Sequence, residues 1–181
     1  MSGACVIFDT RYGNTEKVAR SLESGLKEAG VRTALTNVKE VVIDDLRQYD
    51  LICVGGPTHY RTASEVMQTF LVSLKSVDLS GKMAFAFDTR RDSFLSGSAA
   101  KYIEAALLKQ GMKVISPRLS ASIIGPEAEA GKQDFENKDD RKEWRHKNER
   151  LSEGEEERFE KAGVVIGKAL QQIGLAQSTK S

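Results

Sequence analysis

Ala4-Cys5-Val6-Ile7-Phe8-Asp9, then Thr10-Arg11-Tyr12-Gly13-Asn14-Thr15, then a helical pattern running to about Ala29 decide the fold. The first six residues are a short apolar run rich in β-formers. The next six are turn-forming and polar. From Thr15 onward, Val18, Leu22, Leu26 and Ala29 recur on one helical face, and Gly30 ends the pattern. Strand, tight polar turn, amphipathic helix is the first half of a βαβ unit. Val31 to Val38 alternates as a half-buried strand does and completes it.

The same alternation continues along the chain. Asp50 to Gly56 holds a fully apolar strand, Leu51-Ile52-Cys53-Val54, leading into Gly55-Gly56-Pro57. Ser64 to Lys75 reads as a helix with Val66, Phe70, Leu71 and Leu74 on its apolar face. Met83 to Phe87 is a strand, Ser98 to Gln110 a helix stopped by Gly111, and Met112 to Ile124 a strand region broken near Pro117. Glu155 to Ile173 is the last helix, with Phe159, Gly163, Ile166, Leu170 and Ile173 spaced to face a core. Strands joined by helices of this length require right-handed crossovers and a parallel sheet. Five strands with helices on both faces form a doubly wound three-layer α/β sandwich.

The 181 residues suit one domain, expected over 1–173 with a polar tail at 174–181. Hydrophobic residues make up 40% and charged residues 29%, a globular balance. No apolar run reaches the length of a membrane span, and no secretory leader is expected from the N-terminal residues. Cys5 and Cys53 both sit inside apolar strands, so reduced core thiols in a cytoplasmic setting are expected rather than a disulfide framework. The only histidines, His59 and His146, are far apart, which argues against a histidine metal site. Net charge is +1, too small to argue for nucleic acid.

One segment breaks the pattern. From about Glu127 to Ser152 the chain is charged, with Phe135, Trp144 and Leu151 as its only large apolar residues. It is too long for an ordinary strand-to-helix loop. Asp139 to Leu151 suits a polar helix carrying Trp144 and Leu151 on one side. Such a segment is either a mobile insertion or an arm for docking and self-association, a possible homodimer contact. The acidic run Glu153 to Glu157 suits the start of the last helix.

In an open parallel sheet, ligands bind beyond the carboxyl ends of the strands, where the strand order reverses. Three loops end there. Thr10 to Thr15 joins a buried strand to a helix N-terminus, and its hydroxyls and free backbone N–H groups suit a phosphate, as does the helix dipole. Asn14 or Thr15 is also a natural N-cap. Neither the Gly-Lys-Ser/Thr signature nor three spaced glycines are present, so a mononucleotide phosphate fits better than ATP or NAD. Gly55 to Thr62 lets the backbone approach a flat ring, with His59 and Tyr60 as stacking surfaces. Asp88 to Ser98 offers backbone donors and a wall at Phe94. One phosphate loop and two flat-ring loops at one sheet edge describe a flavin mononucleotide (FMN) site.

On these residues the chain resembles a flavodoxin, over nearly the whole chain outside 127–152. Thr10-Arg11-Tyr12-Gly13-Asn14-Thr15 is similar to the family's Thr/Ser-x-Thr-Gly-x-Thr phosphate loop, with Tyr12 in the third position. Tyr12-Gly13-Asn14-Thr15 followed by Glu16-Lys17 is similar to the flavodoxin domains of flavodiiron proteins. Gly55-Gly56-Pro57-Thr58 is similar to the Gly-x-Pro-Thr of flavodoxin-like quinone oxidoreductases. Asp88-Thr89-Arg90 with Gly97-Ser98-Ala99-Ala100 is similar to the third flavin loop of small stand-alone members.

The resemblance implies a flavodoxin-like sheet of order 2-1-3-4-5 and FMN as cofactor. It implies that Thr10, Arg11, Tyr12, Gly13, Asn14 and Thr15 surround the phosphate. Pro57, Thr58, His59 and Tyr60 would line one side of the isoalloxazine, and Thr89, Arg90 and Phe94 the other. Two departures bear on partner choice: the chain is near neutral where carrier flavodoxins are acidic, and its extra segment follows the fifth strand rather than interrupting it. Arg61, Arg90 and Arg91 near the flavin edge imply a potential less negative than that of an acidic carrier.

Three functions are compatible with this reading. The first is a one-electron carrier between a reductase and partners such as iron–sulfur proteins. The second is an FMN-dependent NAD(P)H or quinone oxidoreductase. The third is a non-redox binding module, against which the presence of Gly13, Thr15, Pro57 and Thr58 argues. No nucleophile-elbow pattern or catalytic dyad is present, and no metal, nucleic acid or membrane is expected.

Overall fold

The computed structural model describes residues 2–91, 97–126, 135 and 137–178. Five strands, β1 (Gly3–Phe8), β2 (Arg32–Asn37), β3 (Leu51–His59), β5 (Met83–Arg91) and β7 (Leu119–Ile124), form a parallel sheet in the order β2-β1-β3-β5-β7. In the expected numbering this is 2-1-3-4-5. Three two-residue strands were not foreseen. β4 (Thr62–Ala63) folds back antiparallel on β3, β6 (Lys113–Val114) pairs with β5, and β8 (Arg150–Leu151) adds an antiparallel edge to β7. The Met112–Ile124 strand is therefore split around Pro117 into β6 and β7, because proline has no N–H for a ladder.

The helices are α1 (Asn14–Glu28), α2 (Glu65–Ser73), α3 (Ala99–Lys109), α4 (Lys138–Lys147) and α5 (Glu155–Ser178). α5 continues past Ile173 into residues read from sequence as tail. The strand side chains alternate between two cores. On one face Ile7, Ile52, Val54, Ala84 and Ala86 meet Met67, Phe70 and Leu71 of α2 and Ile103 and Leu107 of α3. On the other, Val6, Leu51, Cys53, Phe85 and Phe87 meet Val18, Leu22 and Leu26 of α1 and Phe159, Ile166 and Leu170 of α5. Each such large apolar side chain contributes roughly 1.5–3 kcal/mol on burial.

α1 and α5 approach more closely than side chains would allow. A Cβ on Gly25 would lie 1.9 Å from the Glu160 carbonyl oxygen, and one on Gly163 would lie 2.4 Å from that of Leu22. Cys5 and Cys53 occupy adjacent strands but belong to opposite cores, and both are buried free thiols. Burial pushes Cys5 up to about 12 and raises Cys53 further, since the low-dielectric interior disfavours a thiolate. No helix among the described residues is long and apolar enough to cross a membrane.

The charged segment is part helix and part strand. Trp144 is on α4 and packs against Phe135, ring centroids 5.5 Å apart. Leu151 is instead on β8, opposite Ile123 of β7, and packs against the α1/α5 core. An apolar side chain in register with a free sheet edge is better covered there than on a solvated helix.

Candidate functional site

All three loops named from sequence leave the carboxyl ends of β1 and β3, which flank the point of reversal, and of β5 beside them. They meet at a cleft of about 410 Å³, a size ordinary for a small-molecule site. Of the thirteen expected residues, Arg11, Tyr12, Pro57, Thr58, His59, Tyr60, Thr89 and Arg90 line it. Thr10, Gly13, Asn14 and Thr15 build the loop behind Arg11 and Tyr12. Phe94 lies outside the described residues.

The phosphate loop turns on Gly13, the N-cap of α1, at φ +87°. Neither Asn14 nor Thr15 is the cap. Both are buried in the first helical turn with side chains committed elsewhere. Thr15 Oγ1 pairs with Thr89 Oγ1 at 2.8 Å, and Asn14 Nδ2 donates to the Glu149 carbonyl at 2.9 Å. The Gly13 N–H donates to Thr10 Oγ1 at 2.9 Å, closing the turn. No side chain caps α1, whereas Ser64, Ser98 and Asn137 cap α2, α3 and α4. The first N–H groups of any helix lack an intrahelical acceptor. In α1 no side chain meets them, and the helix dipole favours an anion at such an end.

The second and third loops are tied by Asp88, which is fully buried. Its Oδ2 accepts from Thr58 Oγ1 (3.0 Å), Ser98 Oγ (2.8 Å) and the Ala100 N–H (2.9 Å). Thr58 Oγ1 in turn accepts from the Ala99 N–H at 2.9 Å. Tyr60 and Arg61 adopt φ of +45° and +71°, a left-handed pair that costs side-chain-bearing residues free energy. That bend leaves Tyr60 77% exposed at the lip, edge-on to His59 with centroids 4.3 Å apart. The Arg61–Gly97 bridge and the Arg90 Nη1 hydrogen bond to the Gly97 carbonyl (2.8 Å) close the third loop.

Arg61 and Arg91, expected at the flavin edge, also line the cleft. It has a further wall that sequence reasoning missed, made of Ile123 and, from the charged segment, Asp139, Lys142, Glu143, His146 and Glu149. Lys142 Nζ stands 5.7 Å from the Tyr60 ring centre, and the Arg11 guanidinium 5.2 Å from that of Tyr12. Among the described residues no carboxylate pairs with Arg11, Arg61 or Lys142, and no cluster of three His, Cys, Asp or Glu suited to a metal ion is found.

These features define a doubly wound α/β protein with a cleft at its topological switch point. The flavodoxin family profile matches residues 6–146. A flavodoxin of Clostridium saccharobutylicum is 31% identical over 114 residues, 61% of this chain and 71% of that protein. An NAD(P)H dehydrogenase (quinone) of Paracoccus denitrificans is 28% identical over 91 residues, 39% of this chain and 44% of that one. A flavodoxin from the Archaea superposes with a TM-score of 0.70 at 20% identity, covering 93% of this chain and 99% of that one. The Flv1 flavodiiron core of Synechocystis gives 0.70 at 17%, covering 95% and 36%. The chain belongs to the flavodoxin family. FMN and electron transfer come with that family, and the uncapped α1 terminus beside a cleft floored by flat-ring loops fits that cofactor.

Proposed function

We propose that the chain is an electron carrier that holds FMN in this cleft and passes electrons between a reductase and an acceptor such as an iron–sulfur protein. The observation that carries this reading is the uncapped N-terminus of α1, which directly follows Arg11 and Tyr12 of the cleft shared by the β3 and β5 loops. The N–H groups at the start of α1, with Thr10 and Arg11 beside them, would take the phosphate, and Gly13 gives the turn its shape. Pro57, Thr58, His59 and Tyr60 would bound one side of the ring system, Thr89 and Arg90 the other. FMN supplies the redox chemistry when bound; the protein supplies position and electrostatics. The exposed Tyr60 lip gives a protein partner access to the cleft edge.

A second reading, direct oxidation of NAD(P)H with a quinone as acceptor, is favoured by one observation. α4 closes part of the cleft from within the same chain, leaving a walled seat suited to a small substrate. Relatives named NAD(P)H dehydrogenase (quinone) match over 39% and 48% of this chain.

The test is a visible spectrum of the purified protein before and after adding FMN, followed by anaerobic NADPH. A bound-flavin spectrum that NADPH alone does not bleach supports the carrier. Bleaching with turnover on a quinone establishes the enzyme. Absence of binding at micromolar FMN overturns both.

A further inference from the structure

The geometry points to the charged segment as part of the cofactor site itself, with Glu149 as the residue that positions it. This rests on the FMN reading above and adds residues to it. α4 and the turn into β8 form one wall of the cleft, joined to the first turn of α1 and to the end of β5. Four connections hold this wall, and three converge on Glu149, whose side chain is 7% exposed although its neighbours are charged and solvated.

Arg91, at the end of β5, donates to Glu149 Oε1 through Nε at 2.8 Å and Nη2 at 2.5 Å. His146 Nδ1, one helical turn earlier, lies 3.0 Å from the same oxygen. The Glu149 carbonyl accepts from Asn14 Nδ2, inside the first turn of α1. Immediately afterwards β8 pairs with β7, and the Ser152 N–H donates to the Ser122 carbonyl at 2.9 Å. One residue therefore ties the phosphate-loop helix, the third-loop strand and α4 together.

The chemistry follows from that convergence. With Nδ1 engaged by the Glu149 carboxylate, the Nε2 edge of His146 is left for whatever fills the cleft. Lys142, over the Tyr60 ring, places a cation at the open lip. A flat ring with polar edges, carrying a phosphate, would have the N–H donors of α1 for its phosphate and this wall for an edge. Glu149 is buried but the Arg91 side chain stays 34% exposed, so Glu149→Gln leaves a guanidinium that water still solvates and costs the apoprotein little. Loss of the latch is expected in the dissociation rate more than the association rate. Because Asn14 carries one of the bonds, filling the phosphate loop and ordering α4 reinforce each other.

The experiment measures FMN release by stopped-flow recovery of flavin fluorescence for the wild type, Glu149→Gln and Glu149→Asp, alongside the thermal midpoint of each apoprotein. We expect release from Glu149→Gln about tenfold faster with an apoprotein midpoint close to wild type, and partial rescue by Glu149→Asp. In parallel, amide exchange of the wild-type chain is compared with and without FMN, where added protection across 138–151 is expected. If the wild type binds FMN but protection stays confined to 10–15, or the variants release FMN at the wild-type rate, the wall is not part of the site. Equal losses in midpoint and release reduce Glu149 to a folding residue and also overturn the proposal. A Glu149→Gln chain that fails to fold leaves the exchange comparison to decide. Failure of the wild type to bind FMN overturns the underlying reading instead.

Discussion

Replacing Asp88 by alanine removes the acceptor that joins the second and third loops. Oδ2 receives three donors: the Thr58 and Ser98 hydroxyls and the Ala100 N–H. The hydroxyls can rotate to other acceptors or to water in the cleft, but the Ala100 N–H is buried and fixed by α3. That unmet donor costs about 1–3 kcal/mol, and the space left by the carboxylate adds a smaller cavity penalty. A loss of about 2–3 kcal/mol follows, which lowers the midpoint of a chain this size by about 6–9 °C. Because Thr58 is freed from Asp88, FMN affinity falls as well, by about tenfold, equivalent to ~1.4 kcal/mol. Asp88→Asn separates the two effects. Its amide oxygen can keep all three donors, while its NH₂ falls where Oδ1 has no partner among the described residues. Stability then drops by about 1–2 kcal/mol with FMN affinity nearly preserved. Scanning calorimetry and FMN fluorescence titration read the two quantities. An alanine variant that keeps both its midpoint and its FMN affinity would refute this account of how the loops are joined.

Gly13→Ala adds a Cβ that meets nothing within 4 Å, so its cost is purely that of φ +87°, about 1–2 kcal/mol. Asparagine, which tolerates that conformation better, should recover part of the FMN affinity lost by alanine in the same titration. Gly25→Ala must push α5 away from α1, since its Cβ would sit 1.9 Å from the Glu160 carbonyl; a loss of about 3 kcal/mol is expected by denaturant unfolding, and a near-neutral result would show that the helices separate freely. Cys5 and Cys53 should resist a thiol reagent at pH 8 in the native chain and react in guanidinium. Their folded values lie above an unfolded value of about 8.5, with Cys5 raised to about 12. Their protonated forms therefore favour the folded state fully below about pH 8.5. That contribution then declines by about 1.4 kcal/mol per pH unit per thiol as pH rises. Cys53→Ala should flatten the alkaline part of the stability curve, and an unchanged slope would exclude the thiol as its source.

The fold was legible because its signals are local. Apolar runs at Val6, Val54 and Phe85, helical spacing in α1 and α5, and Gly30 and Gly111 as stops each act within a few residues. The short strands were not legible because nothing local specifies them. β4, β6 and β8 are two residues each and exist only because a longer strand offers a free edge beside them. The N-cap of α1 was misplaced for a related reason. Asn14 and Thr15 have good capping chemistry, but their side chains are drawn to Glu149 and Thr89, contacts 135 and 74 residues away in sequence.

The site divides along the same line. Residues that serve through their own loop, such as Gly13, Thr58 and Tyr60, could be named from motif and position. Asp88 and Glu149 could not be assigned their places, since each acts by joining segments that are distant in sequence. A buried carboxylate with several donors is costly unless every partner is present, so its position carries information about the whole fold rather than about its neighbours. Glu149 shows this most plainly. In sequence it is one of 13 acidic residues between Glu127 and Glu160, indistinguishable from those that face water. Only the meeting of β5, α1 and α4 singles it out, because only there do a guanidinium, an imidazole and the phosphate-loop helix converge on one residue. A charged segment that composition alone would assign to solvent thus becomes a wall of the cleft through a single well-partnered carboxylate.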